Sequence, residues 1–156
     1  MMKRILLPLL TLVLLLCACT RPTAPTEGFA PETAQQLLDC GAFSEPIDPL
    51  EADIAWGLYR LSAAGLARED MTHAVAYRSS GATCEELALL TFQDAAAAQT
   101  AAHALEEYLA DQIQSNRDYR PAQLPKLEQA QLLCRGNTVL LLVANDYAPT
   151  AQLLAP

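Results

Sequence analysis

The sequence predicts a single α+β domain, with a four-stranded antiparallel sheet built from two strand-strand-helix units and helices packed mainly on one face. Three observations support this prediction. Side chains alternate with period two in 73–78, a helical apolar pattern covers 94–118, and 139–143 is an unbroken apolar run. Alternation is typical of a half-buried strand, whereas an unbroken apolar run indicates a central strand covered on both faces.

Two short helices are predicted before the first strand. The segment PETAQQLLDCGAF (31–43) has a proline near its start and ends near Gly41, a residue type that is common after helix C-termini. In DPLEADIAWGLYRL, Asp48 caps a second helix, Pro49 occupies its first position and Glu51 completes a capping box. The predicted buried stripe of this helix repeats every four residues: Leu50, Ile54 and Leu58.

Residues 73–92 are predicted to form a hairpin, followed by a long helix. The alternation that starts at His73 and the segment EELALLTF predict two strands, and SSGAT is the turn between them. Asp94 then caps a helix of about 25 residues, which reaches about 37 Å at 1.5 Å per residue. One face of this helix carries apolar residues: Ala98, Ala102, Leu105, Leu109 and Ile113.

A second strand-strand-helix unit is predicted near the C-terminus. KLEQAQLLC and TVLLLVAN, joined by a tight RGN turn, indicate another hairpin. Asp146 to Leu154 is predicted as a short closing helix entered through Pro149. The predicted order is helix, helix, strand, strand, helix, strand, strand, helix, and the pattern leaves the order of strands in the sheet open.

The N-terminus has the pattern of an export signal. Lys3 and Arg4 precede residues 5–16, which are almost wholly apolar. A spanning helix needs about 20 apolar residues, and this run is shorter. The residues Leu16-Cys17-Ala18-Cys19 resemble the lipobox of bacterial lipoproteins, and that resemblance implies a thioether-linked diacylglycerol, with acyl chains such as palmitate, on Cys19.

This interpretation divides the chain into three parts. Residues 1–18 are predicted as a lipoprotein signal peptide, 19–31 as the lipidated cysteine with a Pro/Thr-rich tether (TRPTAPTEGFAP), and 32–156 as the domain. Two alternatives stay open: a signal peptide cut near Ala18 without a lipid, and a retained transmembrane helix. The prediction places the protein at the cell membrane, on its extracytoplasmic face.

The charge of the chain narrows the classes of partner. The formal net charge is -8, and basic residues form no run beyond the first four positions. Such a surface repels phosphate backbones and anionic lipid, so nucleic-acid binding is not expected. Membrane attachment is therefore expected through the covalent lipid at Cys19, and an envelope protein or peptide is the expected partner.

Three sequence segments resemble a known family. They are AYRSSGATCEELALLTFQD (76–94), RDYRPAQLPKLEQA at the end of the long helix, and RGNTVLLLVAND before the closing helix. As a set they are similar to a family of small lipoproteins of clostridial-type bacteria, classed as domain of unknown function 4358. The resemblance covers about residues 32–155 and implies export, an anchor and a compact α+β domain, with no catalytic or binding residue to carry over.

The turn between the first two strands is a candidate binding site. Ser79, Ser80, Gly81 and Thr83 could offer backbone amides to an anion, although ordinary hairpin chemistry, with a positive φ at Gly81, explains the same residues. Besides Cys19, the predicted mature chain carries Cys40, Cys84 and Cys134. A Cys84–Cys134 disulfide and free buried thiols are both open interpretations.

The sequence carries no motif for catalysis or metal binding. Neither histidine, His73 or His103, forms a recognised nucleophile motif with Cys84, and no metal or cofactor is expected. The pairs Glu85/Glu86 and Glu106/Glu107 are interpreted as solvated, with the members of each pair pointing apart. Four aromatic residues are interpreted as packing residues, with a peptide or glycan groove as the alternative: Trp56, Tyr59, Tyr108 and Tyr119.

These observations favour a lipid-anchored, non-enzymatic domain that acts in binding or assembly at the cell envelope. Two alternatives are a small extracytoplasmic hydrolase or thiol enzyme, and an accessory subunit of a transporter or secretion complex. The enzyme hypothesis predicts a deep pocket that brings Cys84 or Ser80 within reach of a histidine. The accessory-subunit hypothesis predicts an apolar patch on an exposed sheet face.

Overall fold

The computed structural model describes residues 27–155, so the predicted signal peptide, Cys19 and the tether up to residue 26 lie outside the described residues. Within this range the chain forms four helices and five strands. In chain order they are α1 (Thr33–Asp39), β1 (Asp48–Leu50), α2 (Ala52–Leu58), β2 (Met71–Arg78), β3 (Glu86–Phe92), α3 (Ala95–Tyr119), α4 (Leu124–Glu128), β4 (Gln131–Arg135) and β5 (Thr138–Val143).

The five strands make one antiparallel sheet in the order β1-β2-β3-β5-β4. β5 lies between β3 and β4, and all of its residues are buried, as the unbroken apolar run predicts. The α+β class, the β2–β3 hairpin, the β4–β5 hairpin and the long helix α3 are confirmed. Gly41 has a φ of 83°, which is the conformation expected of a glycine that follows a helix.

The sheet is covered on both faces, whereas the sequence predicted helices mainly on one. Alternate residues of the central strands point to opposite sides because side chains alternate along a strand. Ala88 and Leu90 pack with α2, α3 and α4, while Leu87 and Leu89 pack with α1, Phe29 and Leu154. Phe29, which the sequence placed in the tether, belongs to this second cluster, so the packed domain begins before residue 32.

The prediction of four strands is wrong because Asp48–Leu50 forms an edge strand instead of a helix start. Pro49 lies opposite Tyr77 of β2. A proline has no backbone N–H to donate, and it is tolerated in an edge strand because one side of that strand has no neighbouring strand to bond. The helix starts at Ala52, and its N-cap residue Glu51 makes no side-chain capping bond. The predicted stripe is also displaced, since Ile54 is 59% exposed and Ala55 is fully buried.

Two further predicted elements differ from the structure. The segment that begins at Lys126 starts inside helix α4, so the strand β4 begins only at Gln131. The predicted closing helix is a single 3-10 turn, Ala148–Thr150. There the Asp146 carboxylate accepts a hydrogen bond from the Ala148 N–H at 2.9 Å, a local bond that satisfies one backbone donor without an α-helix.

The N-terminus of α3 gives a first testable prediction. Asp94 has extended backbone geometry, and its Oδ1 accepts the Ala97 N–H at 2.8 Å, as the capping prediction requires. Replacing Asp94 with alanine is expected to lower the free energy of unfolding by about 1 kcal/mol, because a helix donor loses its partner. Urea denaturation measures this change. An Asp94→Asn variant should retain most of the stability, and equal losses in both variants would contradict the capping role.

Candidate functional site

The turn that the sequence singled out surrounds two carboxylates. The hydroxyls of Ser79 and Thr83 both donate to Glu45 Oε1, the latter at 2.8 Å, and the Ser80 hydroxyl donates to Asp48 Oδ2 at 2.6 Å. The anion interpretation is therefore not supported, because the turn hydroxyls already hold negative groups. The turn instead fixes the position of an acidic side chain that the sequence analysis did not identify.

Gly81 is required in this turn because the Glu45 carboxylate lies close to its Cα, and not because its backbone has a positive φ. Positive φ angles occur at Gly41, Gly65 and Gly136 among the glycines of the described part, so the positive φ predicted for Gly81 is not observed. A Cβ atom added to Gly81 would lie 3.0 Å from Glu45 Oε1. A side chain there would push against the carboxylate that the turn holds.

Glu45 lines an open cleft of about 560 Å³ on the face of the sheet that α1 covers. The hydrogen bonds from Ser79 and Thr83 lower the pKa of Glu45, so this carboxylate stays ionised at neutral pH. Gln35 and Ser44 add polar groups to the lining. Four other lining residues are apolar or aromatic and half-buried: Leu38, Phe43, Ile47 and Tyr77. The cleft therefore combines one fixed negative charge with a lining that is partly apolar and partly polar.

The adjacent residues Glu85 and Glu86 are both buried, so the prediction that they are solvated is wrong, although their side chains do point apart. Glu85 is fully buried; it accepts hydrogen bonds from the Ser44 N–H at 2.8 Å and from the Ser44 hydroxyl, and it pairs with Lys126 Nζ at 2.5 Å. This cluster ties the segment before β1 to helix α4. Its partners come from residues 41 positions away on either side, which no local sequence pattern reveals.

Glu86 lies in a second polar cluster on the opposite face of the sheet. Its carboxylate accepts hydrogen bonds from Tyr59 at 2.6 Å and Tyr108 at 2.8 Å, and Arg78 Nε is 3.8 Å away. Burial raises the pKa of Glu86, and the two hydroxyl bonds oppose part of that rise. Burial and the nearby carboxylate also raise the pKa of both tyrosines, so they remain neutral donors.

The aromatic residues behave mainly as packing residues. The rings of Tyr59 and Tyr108 meet edge to face with centroids 5.2 Å apart, and both rings are buried. They form the floor of a second cleft of about 390 Å³, whose rim includes His103 and Glu107. Tyr119 is 87% exposed at the end of α3, so the four predicted aromatics do not form one groove.

The structure keeps the candidate nucleophiles and bases apart. The Cys84 thiol contacts Gln123, burial raises its pKa, and the Ser80 hydroxyl contacts Asp48. His103 Nδ1 lies 3.2 Å from Glu106, and His73 lines a different cleft beside Phe29. The pocket that the enzyme hypothesis predicted, with Cys84 or Ser80 near a histidine, is not observed in residues 27–155.

Of the two interpretations that the sequence left open, the structure has free thiols at Cys40, Cys84 and Cys134 and no Cys84–Cys134 disulfide. Cys134 lies opposite Val139 of β5, whereas Glu86, two residues after Cys84, lies opposite Val143. This register separates the two cysteines by about 20 Å along the strands at about 3.3 Å per residue. A disulfide requires Cα atoms within about 7 Å, so the pair cannot form in this fold.

Between residues 27 and 155, no helix has the length and apolar content to cross a bilayer. Over the same residues, no three side chains among His, Cys, Asp and Glu are grouped as metal ligands.

Comparison with known proteins identifies one family. No curated protein and no solved structure shows significant similarity to the chain. The family described as Domain of unknown function (DUF4358) matches residues 63–144, a region that includes β2, β3, α3, α4, β4 and β5 in full. The match covers more than half of the chain and contains both hairpins and the long helix between them, so the protein belongs to the DUF4358 family.

Proposed function

We propose that this protein is a lipid-anchored, extracytoplasmic binding domain, attached to the cell membrane through Cys19. The observation that supports a binding role most directly is the arrangement of two features at opposite ends of the sheet. The chain enters the domain at the Thr138 end of β5, and the Glu45 cleft lies beyond the Leu142 end. Attachment and cleft are therefore separated along the strands.

The entering chain is held firmly against the sheet. The Phe29 N–H donates to Thr138 Oγ1 at 2.9 Å, and the Arg135 guanidinium lies 4.5 Å from the centroid of the Phe29 ring. A Cβ atom on Gly28 would lie 2.9 Å from Thr138 Cγ2, so the backbone approaches the sheet as closely as a glycine permits. The proposed tether therefore joins the domain at a point that is packed against the sheet.

The length of the tether limits how far the domain can move from an anchor at Cys19. Phe29 follows Cys19 by ten positions, and this length spans at most about 35 Å when fully extended. Two or three acyl chains at about 0.8 kcal/mol per buried methylene would give lasting attachment to the bilayer. The domain would then work within a few nanometres of the membrane surface.

Replacing Cys19 with serine tests the anchor. In bacteria that process lipoproteins and are fed an alkyne analogue of palmitate, the full-length chain is expected to carry the label and to sediment with membranes. The Cys19→Ser variant is expected to lose both the label and the retention, because a hydroxyl cannot form the thioether. Cys17→Ser, which changes a cysteine of the predicted signal peptide, is the matched control and should keep both. Labelling that persists in Cys19→Ser would refute the proposal.

A further inference from the structure

We infer that the Glu45 cleft binds the side chain of a lysine in a peptide partner, with the ammonium group on Glu45 and the aliphatic stem along the apolar walls. This inference rests on the proposed binding role and names its ligand. The first support is charge. Glu45 forms no ion pair within residues 27–155; Lys126, the one lysine of that range, is paired with Glu85, and its attraction is the smallest of the effects that lower the pKa of Glu45.

The hydrogen bonds of Glu45 favour an ammonium over a guanidinium. Both turn hydroxyls, from Ser79 and Thr83, donate to the same oxygen, Oε1. Within residues 27–155 the two side-chain hydrogen bonds to Glu45 both reach Oε1, and the Thr83 backbone also hydrogen-bonds this carboxylate. An arginine binds a carboxylate best through two parallel hydrogen bonds, one to each oxygen, whereas a lysine acts as a point charge and needs only one. The turn therefore leaves Glu45 suited to a single strong donor.

The walls of the cleft match the rest of a lysine side chain. Phe43 and Tyr77 are half-buried aromatic residues that line the same space as Glu45, and aromatic faces attract cations. Leu38 and Ile47 add aliphatic surface, against which a four-carbon stem can pack while its charged end reaches the carboxylate. A volume of about 560 Å³ with a wide opening admits a side chain that remains attached to a peptide backbone.

Matched small probes test this inference on the full-length chain purified in a non-ionic detergent. The probes are the Nα-acetyl amides of lysine, norleucine, ε-N-acetyllysine and arginine, and saturation-transfer NMR titration measures their dissociation constants. Lysine is expected to bind at least about tenfold more tightly than norleucine, which keeps the stem without the charge. Arginine is expected to bind more weakly than lysine. Equal binding of norleucine and lysine would overturn the inference.

Variants assign the binding to the cleft. Glu45→Gln is expected to weaken lysine binding about tenfold, and Phe43→Leu about two- to fivefold, because each removes one attraction for the cation. Glu106→Gln removes an exposed carboxylate on α3, on the other side of the sheet, and should leave binding unchanged. Unchanged lysine binding in Glu45→Gln would overturn the inference. Thermal unfolding of each variant checks that the fold is retained.

A gain of function provides a second, independent readout. The double variant Ser79→Ala/Thr83→Val frees Glu45 Oε1, so the ratio of arginine affinity to lysine affinity is expected to rise. A ratio that stays the same would contradict the role assigned to the two hydroxyls. If none of the probes binds while labelling still depends on Cys19, the lysine inference fails and the anchored location stands. If the probes bind and labelling does not depend on Cys19, the reverse holds.

Discussion

Replacing Lys126 with methionine is expected to lower the free energy of unfolding by about 3–5 kcal/mol, the range for a buried ion pair that loses one partner. Lys126 Nζ lies 2.5 Å from Glu85, whose side chain is fully buried, and the lysine side chain itself is only 16% exposed. Methionine keeps most of the aliphatic stem but leaves a carboxylate inside the protein without a counterion. Urea denaturation followed by circular dichroism measures the loss.

The double variant Glu85→Gln/Lys126→Met separates loss of charge balance from loss of packing. It removes both charges, and it is expected to recover a large part of the stability lost in Lys126→Met, since the amide oxygen of glutamine can accept the Ser44 N–H while its NH2 group donates to the Ser44 hydroxyl. Arg117→Met changes an exposed cation in the last turn of α3 and should alter stability by less than about 0.5 kcal/mol. If the double variant is no more stable than Lys126→Met, the ion pair is not the cause of the loss.

Removing the hydroxyls of Tyr59 and Tyr108 is expected to have the second-largest effect. The double variant Tyr59→Phe/Tyr108→Phe should lose about 2–4 kcal/mol at neutral pH, because hydrogen bonds to a buried charged group contribute more than those between neutral groups. Both hydroxyls donate to the carboxylate of Glu86, a residue that is only 2% exposed. Loss of these donors leaves the Glu86 carboxylate with Arg78 at 3.8 Å as its remaining polar contact.

The dependence of stability on pH tests the same cluster with a definite sign. Burial raises the pKa of Glu86 above its ordinary value of 4.5, so the folded protein binds this proton more tightly than the unfolded chain does. The contribution of Glu86 to stability is therefore greatest below about pH 4.5 and decreases as the pH rises through the raised pKa. Glu86→Gln should remove this component when unfolding free energies are compared between pH 4 and 8.

The tyrosine variant extends this prediction. The hydroxyl bonds lower the pKa of Glu86, so their removal should raise it further and extend the pH range over which stability falls. Subtracting the profile of Glu86→Gln isolates the contribution of this carboxyl from those of other groups, such as Glu45, whose pKa is lowered. A difference profile that rises with pH would contradict the assignment.

Sequence periodicity correctly identified the elements whose buried faces are set by the local pattern of apolar residues. α3 has the expected cap at Asp94, and β5 is buried throughout, because a 25-residue amphipathic pattern and an unbroken apolar run each have one favourable packing. β1 was missed because it is three residues long and includes Pro49, so its strand character depends on pairing with β2 and not on its own pattern.

The candidate site was only partly predictable. The turn from Ser79 to Thr83 was identified, but the group that it contacts was not, because the carboxylate that its hydroxyls hold belongs to Glu45, more than thirty positions earlier in the chain. Glu85 and Glu86 look like a solvated acidic pair by composition alone. Their burial becomes visible only when Lys126, Tyr59 and Tyr108 are brought to them by the fold.

The amino-acid sequence alone determined the α+β class, the two hairpins, the long helix and the membership in the DUF4358 family, since each depends on local patterns or on residues compared directly. The tertiary structure decided the strand order, the covering of both sheet faces, the two buried carboxylates and the cleft beside Glu45. Those features require contacts between residues far apart in the chain. A buried charge is tolerated only where other groups pair with it or donate hydrogen bonds to it. Here those groups come from distant parts of the chain, so a local sequence pattern does not reveal them.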